Sequence, residues 1–166
     1  MLQKTHSLAG LLAAESVVLV MNQSLFSWEA AGALMLGCLA GPMADIDKPG
    51  TTMAKVFIPL SLLLRTLGIK HRTMTHSIVF LVGLFLLLSP LPPVIFWSCL
   101  IAYATHPLLD LFNEQGVALL WPLKTKFRLL PKFAAIETGS ASESFVRICL
   151  MIAILVMPLL NFMERF

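Results

Sequence analysis

The stretch Ser77–Asp110, SIVFLVGLFLLLSPLPPVIFWSCLIAYATHPLLD, decides the fold. It opens with an uncharged apolar run from Ser77 to Leu91, closed by the breaker SPLPP. A second apolar run starts at Val94, continues through Tyr103 towards Phe112, and carries His106 and Asp110 near its end. A helix that crosses the hydrocarbon core needs about 20 largely apolar residues, with a range of roughly 17 to 25. The two runs therefore predict two membrane-spanning helices separated by proline.

Working outward, three further segments approach the same length: Ser7 to Leu25, Trp28 to Met43, and Phe145 to Phe162. The composition agrees, with 58% hydrophobic residues and 13% charged, where soluble domains carry roughly 25% charged. TTMAKVFIPLSLLLRTLG, residues 51–68, has an apolar core too short to span, bracketed by Lys55 and Arg65 and interrupted by Pro59. It predicts an interfacial or re-entrant helix. WPLKTKFRLLPKFAAIETGSASE, residues 121–143, predicts a surface loop with one short helix. The expected fold is all-α: one domain over residues 1–166, an integral membrane helical bundle of about five spans plus one interfacial helix.

Other features narrow the class. Cys38, Cys99 and Cys149 are far apart in apolar stretches and are expected to be buried small hydrophobes. Glu15 interrupts the first apolar run and no small-residue cleavage pattern follows, so the N-terminal segment is expected to be a retained helix. No basic stripe with interleaved aromatics appears, so nucleic acid is not an expected partner. No internal repeat supports an inverted-repeat transporter. Five spans with a cytoplasmic N-terminus place eleven of the twelve lysines and arginines on the cytoplasmic side, leaving only Arg165 outside.

That topology brings every histidine to one membrane face. His6 precedes the first span, HRTMTHS (His71–Ser77) precedes the third, and His106 lies near the cytoplasmic end of the fourth. Asp45 and Asp47 follow the second span, Asp110 follows His106, and Glu143 precedes the fifth. Ionisable groups at membrane depth are costly, which makes a one-sided gathering a functional-site expectation. His106 and Asp110 are four apart and share a helical face. His71 and His76 are five apart, so His71 is expected in the loop and His76 in the first turn of the helix, with Thr75 as its cap. Asp45 and Asp47 flank Ile46, and an extended segment would aim both carboxylates one way and Ile46 into the apolar wall.

The donor set is imidazole plus carboxylate without thiolate, which suits zinc, manganese or iron. More than six candidate ligands leave room for one or two ions, and a pair sharing a carboxylate is an arrangement used for phosphoester hydrolysis. Arg72 offers a planar fork for phosphate. Each residue also has a plainer reading. His6 could be an interfacial residue, Asp45 and Asp47 a helix end beside Lys48, His106 with Asp110 a structural pair, and Glu143 a helix-start acid. Glu15 is either a functional polar group or a partner for a neighbouring helix.

THSLAG, GPMADID, HRTMTHS and HPLLDLFNEQGVALLWPL, in that order, resemble the YdjM-like family of bacterial inner-membrane metal-dependent hydrolases, over about four fifths of the chain. The resemblance implies metal or catalytic roles for His6, Asp45, Asp47, His71, His76, His106, Asp110 and Glu143. This chain has Met43 and Ala44 where the family pattern has a leucine-proline pair. The expectation is a multi-pass hydrolase of the bacterial inner membrane with a cytoplasmic N-terminus. It would use a divalent metal, zinc first and manganese or iron next, to cut a phospholipid or lipid phosphate. Asp45 or Asp47 would take the proton, while Arg72, Lys124, Lys126 and Arg128, with Lys132 nearby, would hold the anionic head. The oligomeric state is left open. The alternatives are a non-enzymatic membrane protein with a structural or regulatory metal site, and a metal-ion or proton transporter. The transporter needs ionisable groups through the membrane depth, and here they gather mostly at one end.

Overall fold

Helix boundaries in this chain are set by serine caps, glycine and proline. The computed structural model describes residues 1–163, and Arg165 lies outside them. Seven α-helices form there: α1 (Gln3–Val20), α2 (Trp28–Ala40), α3 (Thr52–Val56), α4 (Ile58–Thr66), α5 (Ile78–Leu88), α6 (Pro93–Asp110) and α7 (Ala141–Met163). The hydroxyls of Ser27 and Ser77 cap α2 and α5, accepting from the backbone N–H groups of Ala30 and Phe80. Pro93 occupies the first position of α6, where its missing N–H costs nothing. Among the described residues there are no named strands, only two isolated bridges, Asn113 to Ile136 and Val117 to Phe127, which tie down the loop between α6 and α7.

The expected spans come out shorter than the apolar runs. Trp28 to Met43 gives a 13-residue helix because the chain turns at Gly41-Pro42 into a 3-10 helix, Met43–Asp47. Ser77 to Leu91 gives 11 residues, stopped at Ser89-Pro90. At about 1.5 Å rise per residue these helices are roughly 20 and 17 Å long, short of a core of about 30 Å. Among the described residues, α7 is the one helix long and apolar enough to cross a membrane by length and composition. Residues 51–68 form two helices, not one. Pro59, in the first turn of α4, would clash with the carbonyl of residue 55 in a continuous helix, so the chain breaks at Phe57.

The core is helix on helix, with α1 packed against α2, α6 and α7. Small residues allow close approach: a Cβ on Gly41 would collide with the carbonyl of His6, and one on Gly10 with the carbonyl of Gly37. This contact seats the start of α1 against the end of α2. At the opposite end Val18, Ala30, Ala33 and Val94 form one apolar cluster. Beneath the loops at the near end, Ile46, Met53 and Leu64 form a second. Helix α5 buries none of its residues, and α7 turns Phe145, Ile152, Leu155 and Leu159 outward. Apolar faces of that extent need a non-aqueous neighbour.

Candidate metal centre

One end of the bundle collects the polar side chains. It is formed by the start of α1, the end of α2 with the 3-10 helix after it, the start of α5, the end of α6 and the start of α7. His6 comes from the first turns of α1, and His106 and Asp110 from the last turns of α6. Asp45 and Asp47 come from the 3-10 helix after α2, and His76 from a second, Met74–His76, before α5. His6, Asp47, His76, His106 and Asp110 are buried, and His71 is half-open, with 23% of its side chain exposed. The rings of His6 and His106 stack at 3.6 Å between centroids, and His76 meets His106 edge-on at 4.9 Å.

Three of the four imidazoles are anchored through Nδ1. His106 Nδ1 donates to the Gly41 carbonyl at 2.7 Å, and His71 Nδ1 bonds Asp47 Oδ1 at 2.8 Å. The Thr75 hydroxyl donates to Asp47 Oδ2 at 2.6 Å, so its oxygen is left to accept from His76 Nδ1 at 2.9 Å. A carbonyl can only accept, so the proton of a neutral His106 ring sits on Nδ1. The same logic through Asp47 and Thr75 leaves His71 and His76 each with a lone pair on Nε2. Fixing one nitrogen by an oxygen acceptor is how proteins aim the other at a metal.

The Nε2 atoms of all four rings converge on two carboxylates. His6 Nε2 is 3.5 Å from Asp110 Oδ1, and His76 Nε2 is 3.8 Å from Asp110 Oδ2. His106 Nε2 lies 3.6 Å from Asp45 Oδ1 and 3.9 Å from Asp110 Oδ2, and His71 Nε2 lies 3.6 Å from Asp45 Oδ1. Both ring nitrogens of His6, and Nε2 of His76 and His106, are buried without a hydrogen-bond partner. Buried polar atoms in folded proteins are nearly always paired, and the lone pairs of His71 and His106 facing Asp45, which has no cationic side chain beside it among the described residues, repel unless something positive lies between them. Two ligand atoms about 2.1 Å from a tetrahedral ion sit about 3.4 Å apart. The site therefore fits a divalent cation in donor type, spacing and unpaired lone pairs.

Two overlapping sets, His6 with His106 and Asp110, and Asp45 with His76 and His106, each bring ligand atoms within 4.8 Å of one another. A third set, Asp47 with His71 and His76, is equally close but already joined by hydrogen bonds, directly from His71 to Asp47 and through Thr75 to His76. Burial raises the Asp45 carboxyl, and it is held below its ordinary range only when the facing nitrogens of His106 and His71 carry protons, a positive charge that a bound cation would supply in their place. Burial, followed by the neighbouring His106, keeps His76 well below the usual histidine value and so neutral, as a ligand must be.

Several expected roles change. Asp45 and Asp47 lie on a 3-10 helix rather than an extended segment, because Gly41-Pro42 turns the chain tightly. Ile46 still enters the apolar cluster. Thr75 is not the cap of α5, a task taken by Ser77. It is the hub joining Asp47 to His76, and Tyr103 donates to its carbonyl at 2.6 Å. Arg72 is not a free phosphate fork. It is buried with φ of 63°, its Nε 2.9 Å from Asp110 Oδ2 and its Nη1 donating to Asn113 Oδ1 at 2.7 Å. The Met1 ammonium, 2.8 Å from Asp110 Oδ1, gives that carboxylate a second cation.

Glu143 is buried but falls in none of the three ligand sets. It accepts from the Leu2 backbone at 2.5 Å, the Thr5 hydroxyl at 2.7 Å and the Gly139 backbone at 2.6 Å. It holds the segment that carries His6 rather than facing the centre. Lys124, Lys126 and Arg128 are exposed on the α6–α7 loop, outside the cluster. Asn113, not anticipated, bonds Arg72, the Ile136 carbonyl and Thr138. Its signal lay in its place three residues after Asp110.

The family model described as YdjM inner membrane protein matches residues 1–164. The chain is 30% identical over 145 residues to the uncharacterized protein YvsG of Bacillus subtilis, covering 86% of this chain and 85% of that protein. It is 29% identical over 142 residues to the inner membrane protein YdjM of Escherichia coli, covering 79% and 67%, and equally to that of Shigella flexneri. No solved structure matches.

Proposed function

The chain belongs to the YdjM inner membrane protein family, and from that premise we propose that it is a multi-pass, divalent-metal-dependent hydrolase cutting a phosphoester in a phospholipid or lipid phosphate at the cytoplasmic face. The observation that carries the reading is the set of buried Nε2 atoms of His6, His76 and His106, none with a hydrogen-bond partner, facing Asp45 and Asp110. Zinc is the first choice for four imidazoles and two carboxylates, with manganese or iron next. A bound ion in such a site supplies Lewis acidity and lowers the pKa of water towards 7.

The protein's own groups divide the remaining work. Asp45 is the base through Oδ2, its Oδ1 being the atom that faces His71 and His106, since both oxygens of Asp47 are already engaged by His71 and Thr75. Arg72 balances the charge of Asp110. The half-open side at His71 is where a substrate oxygen enters, and Lys124, Lys126 and Arg128 attract the anionic head towards it. The alternation of helix ends at the site supports five crossings by α1, α2, α5, α6 and α7, with the shorter ones completed by flanking residues. The lysine and arginine bias favours a cytoplasmic N-terminus.

Full burial of His6, His76 and His106 favours a second reading, a metal site without catalysis, whose coordination is closed to water. Metal analysis of detergent-purified protein, with hydrolysis of a lipid-phosphate panel on the same samples, separates the two. The hydrolase reading expects stoichiometric metal and turnover, both lost in His76→Ala and His106→Ala. Metal without turnover on any lipid phosphate would leave the structural reading standing.

A further inference from the structure

We propose that α4 and the 119–134 loop form an amphiphilic collar that lies in the headgroup layer of an anionic bilayer, around the end of the bundle that carries the cluster. The inference rests on the inner-membrane setting and is independent of the hydrolase reading. Helix α4 turns Leu60, Leu62 and Leu63 outward, with Leu67 just beyond it, and carries Arg65 in its last turn. The loop, more than fifty residues later in the chain, repeats the pattern. Leu123, Leu129 and Phe133 are exposed, Phe133 at 93%, and they alternate with Lys124, Lys126, Arg128 and Lys132. No acidic residue lies between Glu114 and Glu137.

The turn that leaves α4 meets the loop. A groove of about 420 Å³ is lined by Leu67, Lys70 and Thr73 of the turn after α4 and by Trp121, Leu123 and Lys126 of the loop. Thr73 follows Arg72, whose carbonyl accepts from Ala118, so the groove adjoins the cluster. Large apolar side chains interleaved with cations suit the boundary where acyl chains meet anionic phosphates, with the apolar face about 5–10 Å deep. A soluble partner would have to supply both a greasy face and a row of acids. An anionic lipid supplies both at once. The flanking α7, apolar and long enough to cross, holds the loop at that level. A lipid head in this collar reaches the groove sideways, from within the leaflet.

The test uses full-length protein with Cys38, Cys99 and Cys149 replaced by alanine and Phe133→Cys labelled with an environment-sensitive fluorophore. The protein is reconstituted in phosphatidylglycerol/phosphatidylcholine or pure phosphatidylcholine vesicles. The collar predicts blue-shifted emission, strong quenching by a lipid-borne nitroxide, and several-fold weaker quenching by aqueous iodide than for free dye. Changing Lys124, Lys126, Arg128 and Lys132 together to Gln should abolish the extra protection given by the anionic lipid. Water-like emission with full iodide quenching in both vesicles would overturn the proposal and leave the surface to a soluble partner. Equal protection in both vesicles, unchanged in the Gln variant, would overturn its electrostatic half. Bound metal measured on the same samples keeps a failure of the collar distinct from a failure of the metal centre.

Discussion

The histidine cluster has two halves built on different principles. The inner half, His6, His106 and Asp110, stands on long helices, is fully buried, and leaves His6 Nε2 and His106 Nε2 without hydrogen-bond partners. The outer half, Asp45, Asp47, His71 and His76, stands on 3-10 helices and the loop before the second, and Asp47 ties it together, directly to His71 and through Thr75 to His76. The inner half is rigid because α1 and α6 place it. The outer half is rigid only because its own hydrogen bonds hold it. Removing a ligating side chain from either half should therefore abolish metal binding, whereas loosening the hydrogen bonds that hold the second should only weaken it.

The largest effect is expected for Asp110→Asn. It removes a ligand and leaves Arg72 buried beside a neutral group, and breaking a buried pair costs about 3–5 kcal/mol. Metal content should fall to background and the melting temperature should drop with it, as read by elemental analysis and thermal unfolding in detergent. Next comes His106→Ala, which should abolish metal binding with a smaller stability loss. Retention of stoichiometric metal in both variants would erase the distinction between the halves. Asp47→Asn should keep the metal but weaken it by about 10–100-fold, the usual cost of losing a group that orients a ligand, measured by chelator competition. Thr75→Val should act in the same direction through His76, while Thr75→Ser, which keeps the hydroxyl, should restore affinity. The smallest effect is expected for Glu143→Gln, which keeps an acceptor for the start of α1 and should leave metal content unchanged.

The same division governs what the sequence made legible. The spacing of His106 and Asp110 was readable because a helix fixes which residues share a face. The membrane class, the all-helical content and the gathering of histidines at one end followed from apolar run lengths and charge placement. The outer half resisted because short 3-10 helices have no periodic signature, so Asp45 and Asp47 suggested an extended segment and Thr75 a helix cap. Arg72 misled for a related reason. A guanidinium beside a predicted metal site suits phosphate, but only the fold shows that Asp110 and Asn113 already occupy it. Helix lengths were overestimated wherever glycine or serine followed by proline cut an apolar run, as at Gly41-Pro42 and Ser89-Pro90.

The central claim is that the converging Nε2 atoms and carboxylates hold a divalent cation. X-ray absorption spectroscopy on zinc-loaded, detergent-purified protein tests it most directly. The account predicts an all-nitrogen and oxygen shell with at least two imidazoles at about 2.0–2.1 Å, lost in Asp110→Asn. Zinc that washes off, a shell of water alone, or sulfur from Cys38, Cys99 or Cys149 would contradict it.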